Sequence, residues 1–392
     1  FEKIASDSPV KHVVTTKVGD LLSFPKKQII NFVLKNVKKM IPPFNLPDAV
    51  EFNQALSIGA SKGFKPVEIK SDDVAFLQYT GGTTGVSKGA MLTHRNVLAN
   101  MMQTGIWISK EFKKREEVVM VALPLYHIFS LTAMCSFLQW GAKCVLITNP
   151  RDMKGLVKEW AKNKFTVICG VNTLFNGLLR VPEFKNLDFS MLKLTVGGGT
   201  QVQKPVAEAW FDSTKGHIIE AYGLTEASPG VSANPMYTPW NGSVGFPFPS
   251  TEVSIRGEGF RDLGTWTTPN EIQEHTGEIC VRGPQVMKGY WNRPDETAAT
   301  IRDGWLRTGD IGNMDSNGRI TITDRQKDMI LVSGFNVYPN EIESVLQGMP
   351  GVLECGVVGV PSEKSGEMVK AVIVKQDPSL TKEQVIAYCR QN

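Results

Sequence analysis

The chain of 392 residues lacks any apolar run of the ~18 residues that a membrane-spanning helix takes, so it is not expected to span a membrane. Net charge is almost missing too: 43 Lys and Arg against 39 Asp and Glu leave +4, too little to mark a nucleic-acid surface. Cys-x-x-Cys pairs are absent, and none of the six cysteines (Cys135, Cys144, Cys169, Cys280, Cys355, Cys389) has a His at ligand spacing. That argues against a zinc centre or a disulfide framework and for the reduced thiols of a cytoplasmic protein. Internal repeats and low-complexity tracts are missing as well. What is plentiful is glycine, at 36 residues, the mark of a folded chain with many turns. The length exceeds what one core sustains, about 300 residues, so two or three domains are expected. The first residue is Phe1 rather than Met, which reads as a fragment.

Residues 24–41, FPKKQIINFVLKNVKKMI, set Ile29, Val33, Val37 and Met40 at helical spacing among Lys26, Lys27, Lys35, Lys38 and Lys39, before Pro42 and Pro43 stop the helix. Two readings of this basic helix over 25–41 stand side by side: it packs on its own domain, or it rests peripherally on an anionic membrane such as the inner face of the cytoplasmic one. From about residue 74, short apolar runs alternate with helical segments: VAFLQY, VVMVAL, AKCVLI, FTVICG, LKLTVGGG and HIIEAYG. That rhythm predicts an α/β fold with a largely parallel sheet covered on both faces. Between 244 and 322 the pattern turns to Gly/Pro-punctuated short strands, an antiparallel, barrel-like module. A small α+β unit follows. The expected domains are therefore 1–243, a partial large α/β domain; 244–324, its barrel-like subdomain; and 325–392, a small C-terminal domain.

Tyr79 to Gly89 reads YTGGTTGVSKG, after the strand VAFLQY and ahead of a helix that Thr93 can cap. Gly81, Gly82 and Gly85 free the backbone to turn its amides on an anion, Thr80, Thr83 and Thr84 add hydroxyl donors, and Lys88 adds a cation. A Gly/Thr cluster is more often a plain surface turn. Eleven such residues between strand and helix favour a phosphate loop instead. It is not a Walker A loop, because Ser87 precedes the lysine and Gly89 follows it.

This loop resembles the signature of the adenylate-forming superfamily of acyl-CoA synthetases, luciferases and peptide-synthetase adenylation domains. It departs at Gly81 and Ser87, where the usual form has Ser or Thr and Pro. Further segments resemble the family's in the family's order. Pro124-Leu125-Tyr126-His127 resembles the turn whose His lies beside the acyl pocket; by itself a lone His is as a rule structural. Gly197-Gly198-Gly199 resembles backbone pressed against adenosine and the reacting carboxylate, otherwise a strand-end turn. In Tyr222-Gly223-Leu224-Thr225-Glu226 the resemblance implies that Tyr222 stacks on adenine, that Thr225 meets the α-phosphate, and that Glu226 holds Mg²⁺ with Thr80. In WLRTGD the resemblance gives Asp310 the ribose hydroxyls, with Arg325 gripping the same ribose. It makes Lys327 the hinge of the small domain and brings Gly334 and Phe335 to the CoA thiol. Each of these is, alone, an ordinary turn or solvated residue.

The resemblance is strongest to the long-chain fatty acyl-CoA synthetases, through GFNVYP and TGEICVRGPQVMKGYWNRPDETA. It implies ATP-dependent activation of a long- or medium-chain fatty acid as acyl-AMP, then transfer to coenzyme A. Lys88, His127, Thr225 and Glu226 are the implied catalytic residues, and a homodimer is compatible with it. A ligase loading a carrier protein and a binding module without activity are the rivals. The family's C-terminal lysine segment has no counterpart before Asn392, which supports the last for this stretch of sequence.

Overall fold

The computed structural model describes residues 4, 7–80, 87–326, 328–332, 335–362 and 366–391, and the chain divides into two units, Phe1–Ile69 and Lys70–Asn392. In the first, β1 (Val14–Thr15) pairs in parallel with β2 (Val50–Glu51). Helix α1 (Lys26–Phe32) runs on as a π-helical turn over Val33–Val37, and α2 (Phe52–Lys62) follows β2. None of these helices buries a side chain completely, and Ile29, Val37 and Met40 are exposed.

The second unit opens with β3 (Val74–Thr80) and β4 (Lys88–Thr93), an antiparallel pair in which Thr80 faces Lys88 and Tyr79 faces Gly89. Here the expectation that VAFLQY joins the parallel sheet, its loop running straight into a helix, is corrected. The residues after Lys88 form a strand first, because Ala90 and Leu92 alternate inward and are fully buried. Helix α3 (His94–Ile108) starts only then. Thr93 caps it: its hydroxyl accepts from Asn96 N at 3.2 Å, and Asn96 Oδ1 accepts from Thr93 N at 3.0 Å, a reciprocal capping box.

The main sheet is built from β5 (Val118–Val121), α4 (Ile128–Gln139), β6 (Lys143–Leu146), α5 (Met153–Asn163), β7 (Val167–Gly170), α6 (Asn172–Leu179), β8 (Leu194–Gly197), α7 (Lys204–Thr214), β9 (Ile218–Gly223), β10 (Gly230–Ala233) and β11 (Phe246–Pro247). Its strand order is β11-β10-β9-β8-β7-β5-β6. Strands β9 through β6 in that order are parallel, and β10 and β11 close the edge antiparallel. All four residues of β7 are buried, as a strand covered on both faces requires. One face packs on Trp160, Phe175, Phe184 and Trp210, the other on Phe112, Phe137 and Ile219.

A five-stranded antiparallel sheet follows: β12 (Glu252–Arg256), β13 (Gly277–Arg282), β14 (Ile301–Arg302), β15 (Trp305–Met314) and β16 (Ile320–Arg325), with α8 (Pro294–Thr300) just ahead of β14. The chain ends in β17 (Ile330–Val332), β18 (Phe335–Val337), α9 (Pro339–Gln347), β19 (Val352–Ser362), β20 (Gly366–Lys375) and α10 (Lys382–Gln391), around a small core of Ile330, Leu346 and Val357. Asp324 at the end of β16 accepts from Asn340 N at 3.0 Å and from Asn340 Nδ2 at 3.1 Å, holding the start of α9. The α/β class expected from the alternating pattern, with a β module and a smaller C-terminal part, is the class observed. Among the described residues no helix is long and apolar enough to cross a membrane.

Candidate active site

At the carboxyl ends of the parallel strands, where α/β sheets hold ligands, lies a cavity of about 1350 Å³. Eleven of the residues singled out in the sequence line it: Thr80, Lys88, His127, Gly198, Gly199, Tyr222, Gly223, Thr225, Glu226, Asp310 and Arg325. Gly81, Gly82, Thr83, Thr84, Gly85, Lys327, Gly334 and the side chain of Phe335 lie outside the described residues.

The Lys88 side of the cavity, the expected phosphate side, is built on β4. Antiparallel pairing sets Lys88 opposite Thr80 at the mouth of the Gly/Thr loop. The Lys88 ammonium stands 5.5 Å from the centre of the Tyr290 ring, in cation–π range. Facing it is the turn after β9. A methyl group on Gly223 would lie 2.2 Å from the carbonyl oxygen of Pro229, so only glycine lets the chain fold back there and present Thr225 and Glu226 to the cavity. Tyr290 donates its hydroxyl proton to Glu226 Oε1 at 2.6 Å. Burial, and then the Glu226 charge, push the Tyr290 phenol well above its usual range, so it stays a donor.

The Asp310 side, the expected ribose side, is closed differently. Asp310 sits within β15, only 7% exposed. Its Oδ2 accepts from the Tyr222 hydroxyl at 2.6 Å, and its Oδ1 lies 3.3 Å from Arg325 Nε. Antiparallel register places Asp310 and Arg325 directly opposite. Burial raises the Asp310 acid above its ordinary value, while Tyr222 and Arg325 pull it back down. Burial, followed by the Asp310 charge, raises the Tyr222 phenol well above its range. Two residues before Tyr222, buried Glu220 accepts from Val202 N at 3.1 Å through Oε1, whereas Oε2 has no partner among the described residues. Its desolvation lifts the carboxyl to about 7.

Between the two sides His127 caps α4, its Nδ1 accepting from Phe129 N at 3.3 Å. Burial depresses its pKa, so the ring is neutral at pH 7, and a proton on Nε2 is left as the donor. Gly198 passes close by: a methyl there would meet Ala221 O at 3.1 Å and the Phe129 ring at 3.3 Å. The cavity wall also includes the apolar side chains of Trp107, Phe129, Phe137, Ile219, Met236 and Phe248. Three cavity residues near the ligand-facing groups were not read from the sequence: Glu220 beside the second, smaller cavity, and Tyr290 and Gln326 in the main one. Tyr290 lies in the KGYWNRP segment, which carried resemblance without an assigned role. Glu220 carried no signal, since a Glu in a strand pattern reads as solvent-facing.

Residues 1–291 match the model of the AMP-binding enzyme family, and residues 341–392 that of the AMP-binding enzyme C-terminal domain. A long-chain-fatty-acid–CoA ligase of Escherichia coli O157:H7 is 52% identical over 393 residues, covering 100% of this chain and 69% of that protein. Among solved structures, ATP-bound MatB from Rhodopseudomonas palustris superposes with a TM-score of 0.76 at 31% identity, over 88% of this chain and 67% of the other. An o-succinylbenzoate CoA synthetase from Bacillus subtilis, in complex with its acyl-adenylate intermediate, gives a TM-score of 0.72 at 28% identity, over 88% of this chain and 68% of the other.

Proposed function

The chain belongs to the AMP-binding enzyme family, and from that premise we propose that it joins a long- or medium-chain fatty acid to coenzyme A through an acyl-AMP intermediate, with release of pyrophosphate and AMP. One observation carries this reading: a single cavity is lined both by polar groups suited to a nucleotide, Thr80, Lys88, Thr225, Glu226 and Asp310, and by apolar side chains such as Trp107, Phe129 and Phe248 suited to an acyl chain, with His127 and Gly198 beside Phe129.

A carboxylate resists attack by a thiol because its charge repels nucleophiles and oxide is a poor leaving group. Joining the acid to AMP removes both obstacles. The acid's oxygen attacks the α-phosphorus of ATP, and the bond to pyrophosphate breaks. Lys88 and the Thr225 hydroxyl meet the charge that develops on the phosphates, the term that ordinarily dominates such steps. The neutral His127 ring offers its Nε2 proton to the incoming carboxylate, orienting it without adding charge. Tyr222, Asp310 and Arg325 take the nucleoside, the ribose hydroxyls replacing the Tyr222 hydroxyl and Arg325 on the two oxygens of Asp310. After the small domain, residues 325–392, turns about Lys327, the thiol of CoA attacks the acyl carbonyl and the bond to AMP breaks. Gly334 and Phe335 belong to the surface that receives the thiol.

A magnesium ion fits the phosphate side. Among the described residues no three His, Cys, Asp or Glu side chains gather to hold a metal. Glu226 and the Thr80 hydroxyl share the cavity, however, and a hard cation bound mainly by substrate phosphates and water needs no more protein oxygens than that. When bound, the ion neutralises phosphate charge and orients the chain of phosphates.

Peripheral contact with an anionic membrane is a further part of the reading, supported by exposed Ile29, Val37 and Met40 beside five lysines of the 26–40 segment. Neutralising those lysines should abolish pelleting with anionic liposomes; unchanged pelleting removes the idea. For the reaction itself, palmitate, ATP and CoA should yield AMP and palmitoyl-CoA in equal amounts. Activation of an aryl or amino acid with no response to palmitate would overturn the substrate, and acyl-AMP that ignores free CoA would point to a carrier protein instead.

A further inference from the structure

Strand β4 has two edges. One pairs with β3; the other is taken by residues 287–291, which lie between β13 and β14 in sequence. Met91 N donates to Gly289 O at 2.8 Å, Lys288 N to Met91 O at 3.0 Å and Trp291 N to Gly89 O at 2.8 Å. The same segment holds the turn after β9, because Met287 N donates to Glu226 O at 2.8 Å. Thr297 Oγ1 accepts from Tyr290 N at 2.9 Å. Tyr290 therefore stands at the crossing of the phosphate loop, the Glu226 turn and the start of α8, 7% exposed and pinned by its neighbours. Its ring faces the Lys88 ammonium, and its hydroxyl takes Glu226 Oε1 at 2.6 Å, a charge-assisted bond. Among the described residues Glu226 Oε2 makes no hydrogen bond.

We propose that Tyr290 is a positioning residue for the adenylation step. By occupying one oxygen of Glu226 it fixes that carboxylate's rotamer, leaves Oε2 for the cation that accompanies ATP, and registers the cation against Lys88. A magnesium ion demands near-ideal octahedral geometry, so a carboxylate free to swing is a poor ligand for it. Outer partners that orient ligands are typically worth ten- to a hundredfold in metal affinity. The proposal rests on the magnesium reading above, and its test separates the two.

Tyr290→Phe keeps the ring, its packing and the ring face toward Lys88, and deletes the hydroxyl alone. Calorimetry on the parent and the variant would compare binding of AMP without metal, and binding of ATP across a series of Mg²⁺ concentrations. The AMP affinity should stay within about twofold, while the Mg²⁺ concentration for half-maximal ATP binding rises about tenfold or more. Glu226→Gln should show the same rise, with little added when the two changes are combined, since both remove one arrangement. A variant whose Mg²⁺ response equals the parent's overturns the role of Tyr290. Equal losses for AMP and Mg·ATP, or fully additive effects with Glu226→Gln, overturn it too, since they describe a general loosening of the fold. A parent whose ATP binding ignores Mg²⁺ overturns the metal reading and the proposal with it.

Discussion

The two ends of the proposed nucleotide site are held in opposite ways. At the ribose end Asp310 is buried within a strand, and both its oxygens are occupied by the protein's own Tyr222 and Arg325. At the phosphate end Lys88, Thr225 and Glu226 come from a hairpin mouth and a turn, and Tyr290 is the one described side chain hydrogen-bonded to Glu226. A buried carboxylate that kept no partner in the empty state would be strongly destabilised, so the ribose end carries built-in stand-ins. Lys88 and Glu226 at the other end are only half-buried, and the single side chain Tyr290 serves both. The difference predicts that the two ends separate under mutation.

Lys88→Met should have the largest effect, lowering palmitate-dependent pyrophosphate exchange by about 10²–10³-fold, the usual loss when a preorganised donor to a developing anion is removed. AMP affinity should hardly change; if it falls in step, the two ends are not separate. Next comes the base of the ribose end, where Glu220 tests how much strain burial stores. Its folded pKa, about 7, is raised above the ordinary carboxyl value. Such a group favours the folded state below the unfolded pKa, and that contribution is lost as pH rises through 7. Glu220→Gln should therefore raise stability at pH 8.5 by up to on the order of 3 kcal/mol, at about 1.4 kcal/mol per unit, and by nothing near pH 4. Denaturant titrations at both pH values check it, and an equal effect at the two would refute buried charge as the cause.

Asp310→Asn should weaken AMP binding by roughly tenfold or more, the worth of hydrogen bonds to a charged acceptor, while leaving the Mg²⁺ dependence of ATP binding in place. A changed metal dependence would mean that the ends communicate through Tyr222. The smallest effect belongs to Thr93→Ala, which opens the capping box of α3 just past β4 and should lower stability by about 1 kcal/mol. Loss of pyrophosphate exchange beyond that would show the phosphate strand to depend on its helix.

The parallel strands were legible because each is a short, mainly apolar run, as VICG and LTVG show, and such runs are most stable in a covered sheet. Gly198, Gly223 and Thr93 could be read for the same kind of reason: local backbone demands that few residues satisfy. The pairing of VAFLQY was not legible. A strand's partner is chosen by hydrogen bonding across a loop, and alternation in KGAMLT is too brief to announce a second strand rather than the first turn of a helix. Tyr290 and Glu220 escaped for a deeper reason, since their roles rest on neighbours 64 and 18 positions away in sequence.

By itself, then, the amino-acid sequence pointed to the kind of chemistry: a glycine and threonine loop with a lysine suited to an anion and, through the family resemblance, a tyrosine and an aspartate for the nucleoside, with no protein nucleophile of the serine–histidine type. The loop is a property of residue types and of spacing along the chain, and the nucleoside roles are what the resemblance implies. The tertiary structure alone decided that Thr80, Lys88, Glu226 and Asp310 share one cavity, that a neutral His127 lines it beside Phe129, and that Tyr290 joins strand β4 to Glu226. Contacts between residues far apart in sequence arise from packing, and the charge state of a buried group follows from what surrounds it.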